Sequence, residues 1–134
     1  MTRRLTASIG KRLSDHFTLN VALDVPAGIT IVFGASGSGK STLPRCLAGL
    51  VAPESGHIAV GSTTLFDAEQ HVDLAPQRRK IGYVFQHLAL FPHLSVEANM
   101  AYGLPDLPAT ERRDRITSTA HRFPIGHLLA RKPG

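Results

Sequence analysis

The chain has 134 residues, 43% of them hydrophobic, and its 15 Lys and Arg against 10 Asp and Glu give a net charge of +5. These values fit one globular domain and exclude a disordered, repetitive or low-complexity protein. Cys46 is the one cysteine, which excludes an internal disulfide, and no apolar run follows the basic start or approaches a membrane span, so a cytosolic chain is expected.

The basic residues are scattered over Arg3, Arg4, Lys11 and Arg12, then Arg78, Arg79 and Lys80, then Arg112, Arg113 and Arg115. No aromatic interleaves with them as a base-stacking platform requires, so they read as solvated faces and no nucleic-acid partner is expected. Cys46 follows Leu43 and precedes Leu47 in an apolar helix, which assigns it to the core. The seven histidines show no ligand spacing, and no protein-bound transition metal is expected.

In chain order, "FTLNVALDV" alternates, with Phe17, Leu19, Val21, Leu23 and Val25 on one face of a half-buried strand. The unbroken apolar run "ITIVF" (residues 29–33) reads as a central parallel strand entering a glycine loop. A helix is expected over about 39–48, closed by Gly49. "HIAVGSTTLFD" reads as a hairpin turning at Gly61 and Ser62. Pro76 opens a short turn before a second apolar run, "IGYVF" (residues 81–85), read as a second buried strand. Ser95 is an N-cap for "VEANMAY", with Glu97 in its first turn and Gly103 and Pro105 at its end. A last, weaker helix starts near Pro108 or Thr110 and reaches about Ala120. The fold expected is α/β, a P-loop NTPase core with an incomplete parallel sheet plus a small antiparallel β part, in one domain over residues 1–134.

Gly34, Ala35, Ser36, Gly37, Ser38, Gly39, Lys40 and Ser41 satisfy G-x-x-x-x-G-K-[ST], with Thr42 following. Glycines let the backbone curl so that successive N–H groups face one concavity, and the helix that follows adds its positive end. Lys40 is expected to reach the β- and γ-phosphates, and the Ser41 hydroxyl to help hold Mg²⁺. The pattern lies between an apolar run and a helix, the context that distinguishes a nucleotide site from a glycine-rich turn. Pro44 is out of place there. An interior proline removes a hydrogen bond and costs about 3 kcal/mol against alanine. The cost shrinks if the helix starts as late as Lys40 or Ser41, and weakened positioning of the loop is expected rather than lost binding.

"GASGSGKST", "RCLAGLVAPESGHIAVG", "LAPQRRKIGYVFQ" and "LFPHLSVEANMAYGL" together resemble the first half of an ABC transporter ATP-binding subunit, over nearly the whole chain. Within that family the last stretch and the short N-terminal strand pair are most similar to the molybdate-importing branch. The resemblance implies that ATP and Mg²⁺ bind the loop, with Lys40 and Gln86 as catalytic residues and Ser41 and Gln86 toward the metal. Gln86, ending "YVFQ", is implied as the Q-loop glutamine; from the residues alone it reads as a polar strand end. Residues 86–102 are implied as the surface that docks a membrane permease, placing the chain at the inner face of the cell membrane. An aromatic before the loop is implied to stack on adenine. His16 and Phe17 are the nearest candidates, but Phe17 shares its strand's apolar face and is assigned to the core.

The chain departs from the family at Pro44, where leucine is usual. It ends at "LLARKPG", before the place of the LSGG signature, the acidic strand, the catalytic glutamate and the switch histidine. One reading is therefore the ATP-binding component of an ABC importer, not hydrolytically competent alone, that works as a homodimer or with a complementing C-terminal half. The other is a non-catalytic fragment acting by association, or a truncated frame with no function. A small P-loop kinase is disfavoured by "YVFQ" and by the want of an arginine-bearing lid pattern.

Overall fold

The computed structural model describes residues 4–87 and 89–133. Arg3 of the basic scatter and Leu88 of the expected docking stretch lie outside them. The chain forms two compact units, one ending at Val84 and one beginning at Phe85.

The first unit is built on an antiparallel sheet of β1 (Leu5–Ser14), β2 (Phe17–Val25), β3 (Ser55–Val60), β4 (Thr63–Asp67) and β5 (Val72–Asp73), in the order β2-β1-β3-β4-β5. Alternation sets its register. Ala7 lies opposite Leu23 on β2 and opposite Ile58 on β3, and Ile9 lies opposite Val21 and Gly56, so one face of three strands is apolar. The hairpin expected at Gly61 and Ser62 is present, with Val60 opposite Thr63.

That apolar face is covered by α1 (Thr42–Ala48). Leu43 and Cys46 join Ala7, Ile9, Leu19, Ile58, Leu65 and Phe66 in one buried cluster. Each large apolar side chain sunk there contributes about 1.5–3 kcal/mol. Cys46 is fully buried, as its position in the apolar helix indicated, and burial pushes its thiol pKa up.

Two expectations fail. Neither 29–33 nor 81–85 forms a strand, and among the described residues every strand pairing is antiparallel. Ile29 is 97% exposed, Phe33 87% and Val84 94%. A strand buried on both faces needs neighbours along its edges and layers above and below. Here α1 places its buried residues in the antiparallel core, so it does not supply a layer for these runs. The helix also begins later than expected, at Thr42.

The second unit holds α3 (Val96–Tyr102), α4 (Ala109–Arg122) and a 3-10 turn at Gly126–Leu128, following α2 (Pro76–Arg79) of the first unit. Ser95 caps α3 as expected, its hydroxyl accepting from the Ala98 N–H at 3.1 Å. The Val96 and Glu97 amides donate to the carbonyls of Arg131 and Leu129, so the first turn of α3 is closed by the chain's last segment. On α4 the buried residues are Ile116 and Ala120, one turn apart on one face. No helix among the described residues is long and apolar enough to cross a membrane.

Candidate nucleotide-binding site

The stretch from Gly34 to Ser41 is a loop, turning from Ser36 onward, that runs directly into α1 at Thr42. Gly37 and Gly39 sit at φ 79° and 88°, a backbone region that side chains disfavour, and this reversal curls the loop. Its two ends meet. A Cβ built on Gly34 would lie 2.7 Å from Ser38 Oγ and 3.8 Å from Lys40 Cδ. The Ser38 N–H donates to the Ala35 carbonyl, and the Thr42 and Leu43 N–H groups both donate to the Gly39 carbonyl, at 2.9 and 3.0 Å.

Lys40 folds its ammonium back across this ring and donates to the Ala35 carbonyl. Its charge therefore stands over the loop. Ser41 precedes α1 as its N-cap, yet its side chain makes no capping hydrogen bond. Its hydroxyl is not committed to the helix end and fits the part of an oxygen donor to Mg²⁺. Ala35 and Ser36 lie on the same loop, and Thr42 opens α1.

Two side chains outside the motif pack against the loop and the helix that follows it. Leu19 of β2 packs beneath Gly39, where a Cβ would come 2.7 Å from Leu19 Cδ1. The other is Arg79, which the sequence placed in solvent with Arg78 and Lys80. It is 4% exposed and bonded to carbonyls at the end of α1, because a short turn from Pro76 carries it inward. No local signal separates it from Arg78; only the packing does.

Pro44 is the third residue of α1 and is exposed. The first turn of a helix has no intrahelical partner for its N–H groups, so the missing donor is one the helix does not use.

Phe17 is 37% exposed, which corrects its assignment to the core. It pairs with Ser14 at the end of the β1–β2 ladder, while Leu19 two residues on is buried. Strand alternation puts the Phe17 ring on the same face as Leu19, the residue that touches the loop. His16 is exposed in the turn beside it.

Gln86 is exposed and belongs to the second unit. In that unit Asn99 holds residues 91–95. Asn99 accepts from the Phe91 N–H at 2.8 Å and donates to the Phe91, Leu94 and Ser95 carbonyls. Phe91 also packs on Tyr102, with ring centroids 4.6 Å apart. Asn99 was not singled out in the sequence, although asparagine inside a helix is a mediocre helix former whose side chain competes for backbone groups.

The chain is similar to the molybdenum import ATP-binding proteins ModC. It is 48% identical to that of Pseudomonas syringae pv. tomato over 119 residues, which cover 88% of this chain and 33% of the relative. With ModC of Brucella abortus it shares 43% over 131 residues, 96% of this chain and 35% of the relative. The chain thus spans about a third of the length of these relatives. Among solved structures, cbiO1 from Clostridium perfringens, part of the ABC transporter complex cbiONQ, matches with a TM-score of 0.75 and 25% identity, over 96% of this chain and 53% of that one. The ATP-binding cassette MJ0796 bound to ADP and Pi shares the fold with a TM-score of 0.69 at 22% identity, over 96% of this chain and 61% of its own. Residues 18–134 match the family model described as ABC transporter, and with the glycine loop and α/β fold above, the chain belongs to that family.

Proposed function

We propose that this chain is the ATP-binding part of a molybdate-type importer and holds ATP–Mg²⁺ through residues 34–42. The observation that carries the reading is the Lys40 ammonium folded back onto a loop in which Gly37 and Gly39 take positive φ. An arriving triphosphate offers that ammonium a better acceptor than the Ala35 carbonyl, because its oxygens carry the formal negative charge that a carbonyl lacks. The N–H groups of the loop and the start of α1 receive the remaining phosphate oxygens. Mg²⁺, when bound, offsets phosphate charge. Ser41 would supply an uncommitted hydroxyl to it, and the family resemblance implies Gln86 as a further oxygen donor. Phe17 presents an exposed ring for the adenine, in preference to a place in the core.

Docking to a permease falls to the stretch from Gln86 to Tyr102, which Asn99 braces, and this docking places the chain at the membrane's inner face. Dimerisation, or pairing with a C-terminal half, brings the second side of the ATP site. The relatives' printed role in molybdenum import supports anion transport as the process served. Phosphoryl transfer depends on positioned charge around the γ-phosphate. No apolar run ending in Asp-Glu occurs in this sequence, so binding, not turnover, is the activity assigned to these residues.

Calorimetric titration with ATP–Mg²⁺ tests this. Binding by the wild type that falls at least about tenfold in Lys40→Ala, the loss of one charge-assisted contact, supports it. Equal heats from both chains contradict it.

A further inference from the structure

Arg79 has a side chain that is 0% exposed, and four of its donors are engaged. Nε donates to the Leu74 carbonyl at 2.7 Å, Nη1 to the Cys46 and Leu47 carbonyls at 2.9 and 3.0 Å, and Nη2 to Asp73 Oδ1 at 2.8 Å. Cys46 and Leu47 lie in the last turn of α1, where carbonyls lack intrahelical partners and the helix dipole is negative. The guanidinium therefore clamps the carbonyl end of α1 to the chain around β5.

Gly49 makes room for it. This residue ends α1 at φ 79°, and a Cβ there would fall 2.5 Å from Arg79 Nε. Its N–H returns to the Cys46 carbonyl and that of Leu50 to the Arg45 carbonyl, so the helix end is fixed by backbone and guanidinium together.

We propose that Arg79 is a positioning residue for the nucleotide loop: by fixing the far end of α1 it fixes the near end, residues 39–42, on which phosphate binding depends. The proposal rests on the reading that the loop binds ATP. A helix of seven residues is about 10 Å long and moves as a rod, so freedom at Cys46 and Leu47 becomes freedom at Thr42 and Ser41. A lysine cannot replace the clamp. Its three donors radiate from one atom, whereas the planar fork of Arg79 reaches three carbonyls and a carboxylate in different directions.

The test compares Arg79→Lys and Asp73→Asn with Ile58→Val, a substitution at a fully buried core position of the same sheet. Amide hydrogen exchange is read without nucleotide, followed by titration with ATP–Mg²⁺. In Arg79→Lys the Thr42 and Leu43 amides are expected to exchange faster than in Ile58→Val when both are corrected for global stability. ATP–Mg²⁺ affinity is expected to fall about tenfold, the scale of one charged hydrogen bond. Asp73→Asn keeps an oxygen acceptor and shifts both readouts less. It also serves as the test variant if Arg79→Lys does not fold. Exchange at Thr42 and Leu43 that follows global stability alike in all three variants overturns the proposal, as does wild-type ATP affinity in Arg79→Lys. Should the wild type itself bind no ATP–Mg²⁺, the nucleotide reading fails, while the exchange data still decide whether Arg79 holds the loop.

Discussion

Leu19 carries Gly39: the leucine of β2 sits so close under the last glycine of the loop that a Cβ on Gly39 would lie 2.7 Å from Leu19 Cδ1. The antiparallel sheet is thus the floor of the nucleotide loop. Gly39→Ala must both adopt φ 88° and displace Leu19 from the core. The strain of a side chain in that region alone is on the order of 1–3 kcal/mol. Chemical denaturation is expected to show a loss of at least that size, and titration a weakened ATP–Mg²⁺ interaction.

Phe17→Ala separates stacking from folding. The ring is 37% exposed and stands outside the buried cluster, so its removal is expected to change stability by less than about 1 kcal/mol. Stacking of an aromatic on a base is worth about 1–3 kcal/mol, so ATP affinity is expected to fall by about tenfold or more. Calorimetry against ATP and against inorganic triphosphate checks the assignment, because only the ligand with a base should weaken.

Pro44→Leu is expected to be nearly silent. The residue lies in the first turn of α1 and is exposed, so leucine restores no needed hydrogen bond and fills no core position. A change in stability under about 1 kcal/mol by denaturant titration fits, against about 3 kcal/mol for an interior proline. A large gain would place the proline inside the helix.

Much of this was legible in the sequence, for identifiable reasons. The alternation of β2, the Gly61–Ser62 hairpin and the Ser95 cap are local signals, and local hydrogen bonds satisfy them. The loop was legible as a curl because Gly37 and Gly39, at fixed spacing, take the positive φ that the motif's glycines permit. The runs 29–33 and 81–85 carried a strand signal that only tertiary neighbours can fulfil. The contacts of Arg79 with the end of α1 and of Leu19 with Gly39 escaped notice because they join segments far apart in sequence, one through a carbonyl array and one through a glycine's missing side chain.

The same two runs make a further prediction. Ile29, Phe33 and Val84 are each more than four-fifths exposed, and Ile31 is 69% exposed, so both runs present large apolar side chains to solvent. The isolated chain is expected to bind an apolar fluorescent dye in its native state and to associate as concentration rises. Replacing Ile29 and Val84 by lysine should lower both signals and leave the antiparallel core intact, as read by light scattering and circular dichroism. A monodisperse wild-type monomer that ignores the dye would contradict this.

The central claim is that these residues form a working nucleotide loop, and nuclear magnetic resonance of the isotope-labelled chain tests it most directly. Addition of ATP–Mg²⁺ is expected to shift the amide signals of residues 34–42 and of the first turn of α1, with the Ser55–Val60 strand little changed. Lys40→Ala is expected to abolish those shifts at the same ligand concentration. Unmoved loop amides in the wild type, or shifts that persist unchanged in Lys40→Ala, would contradict the account.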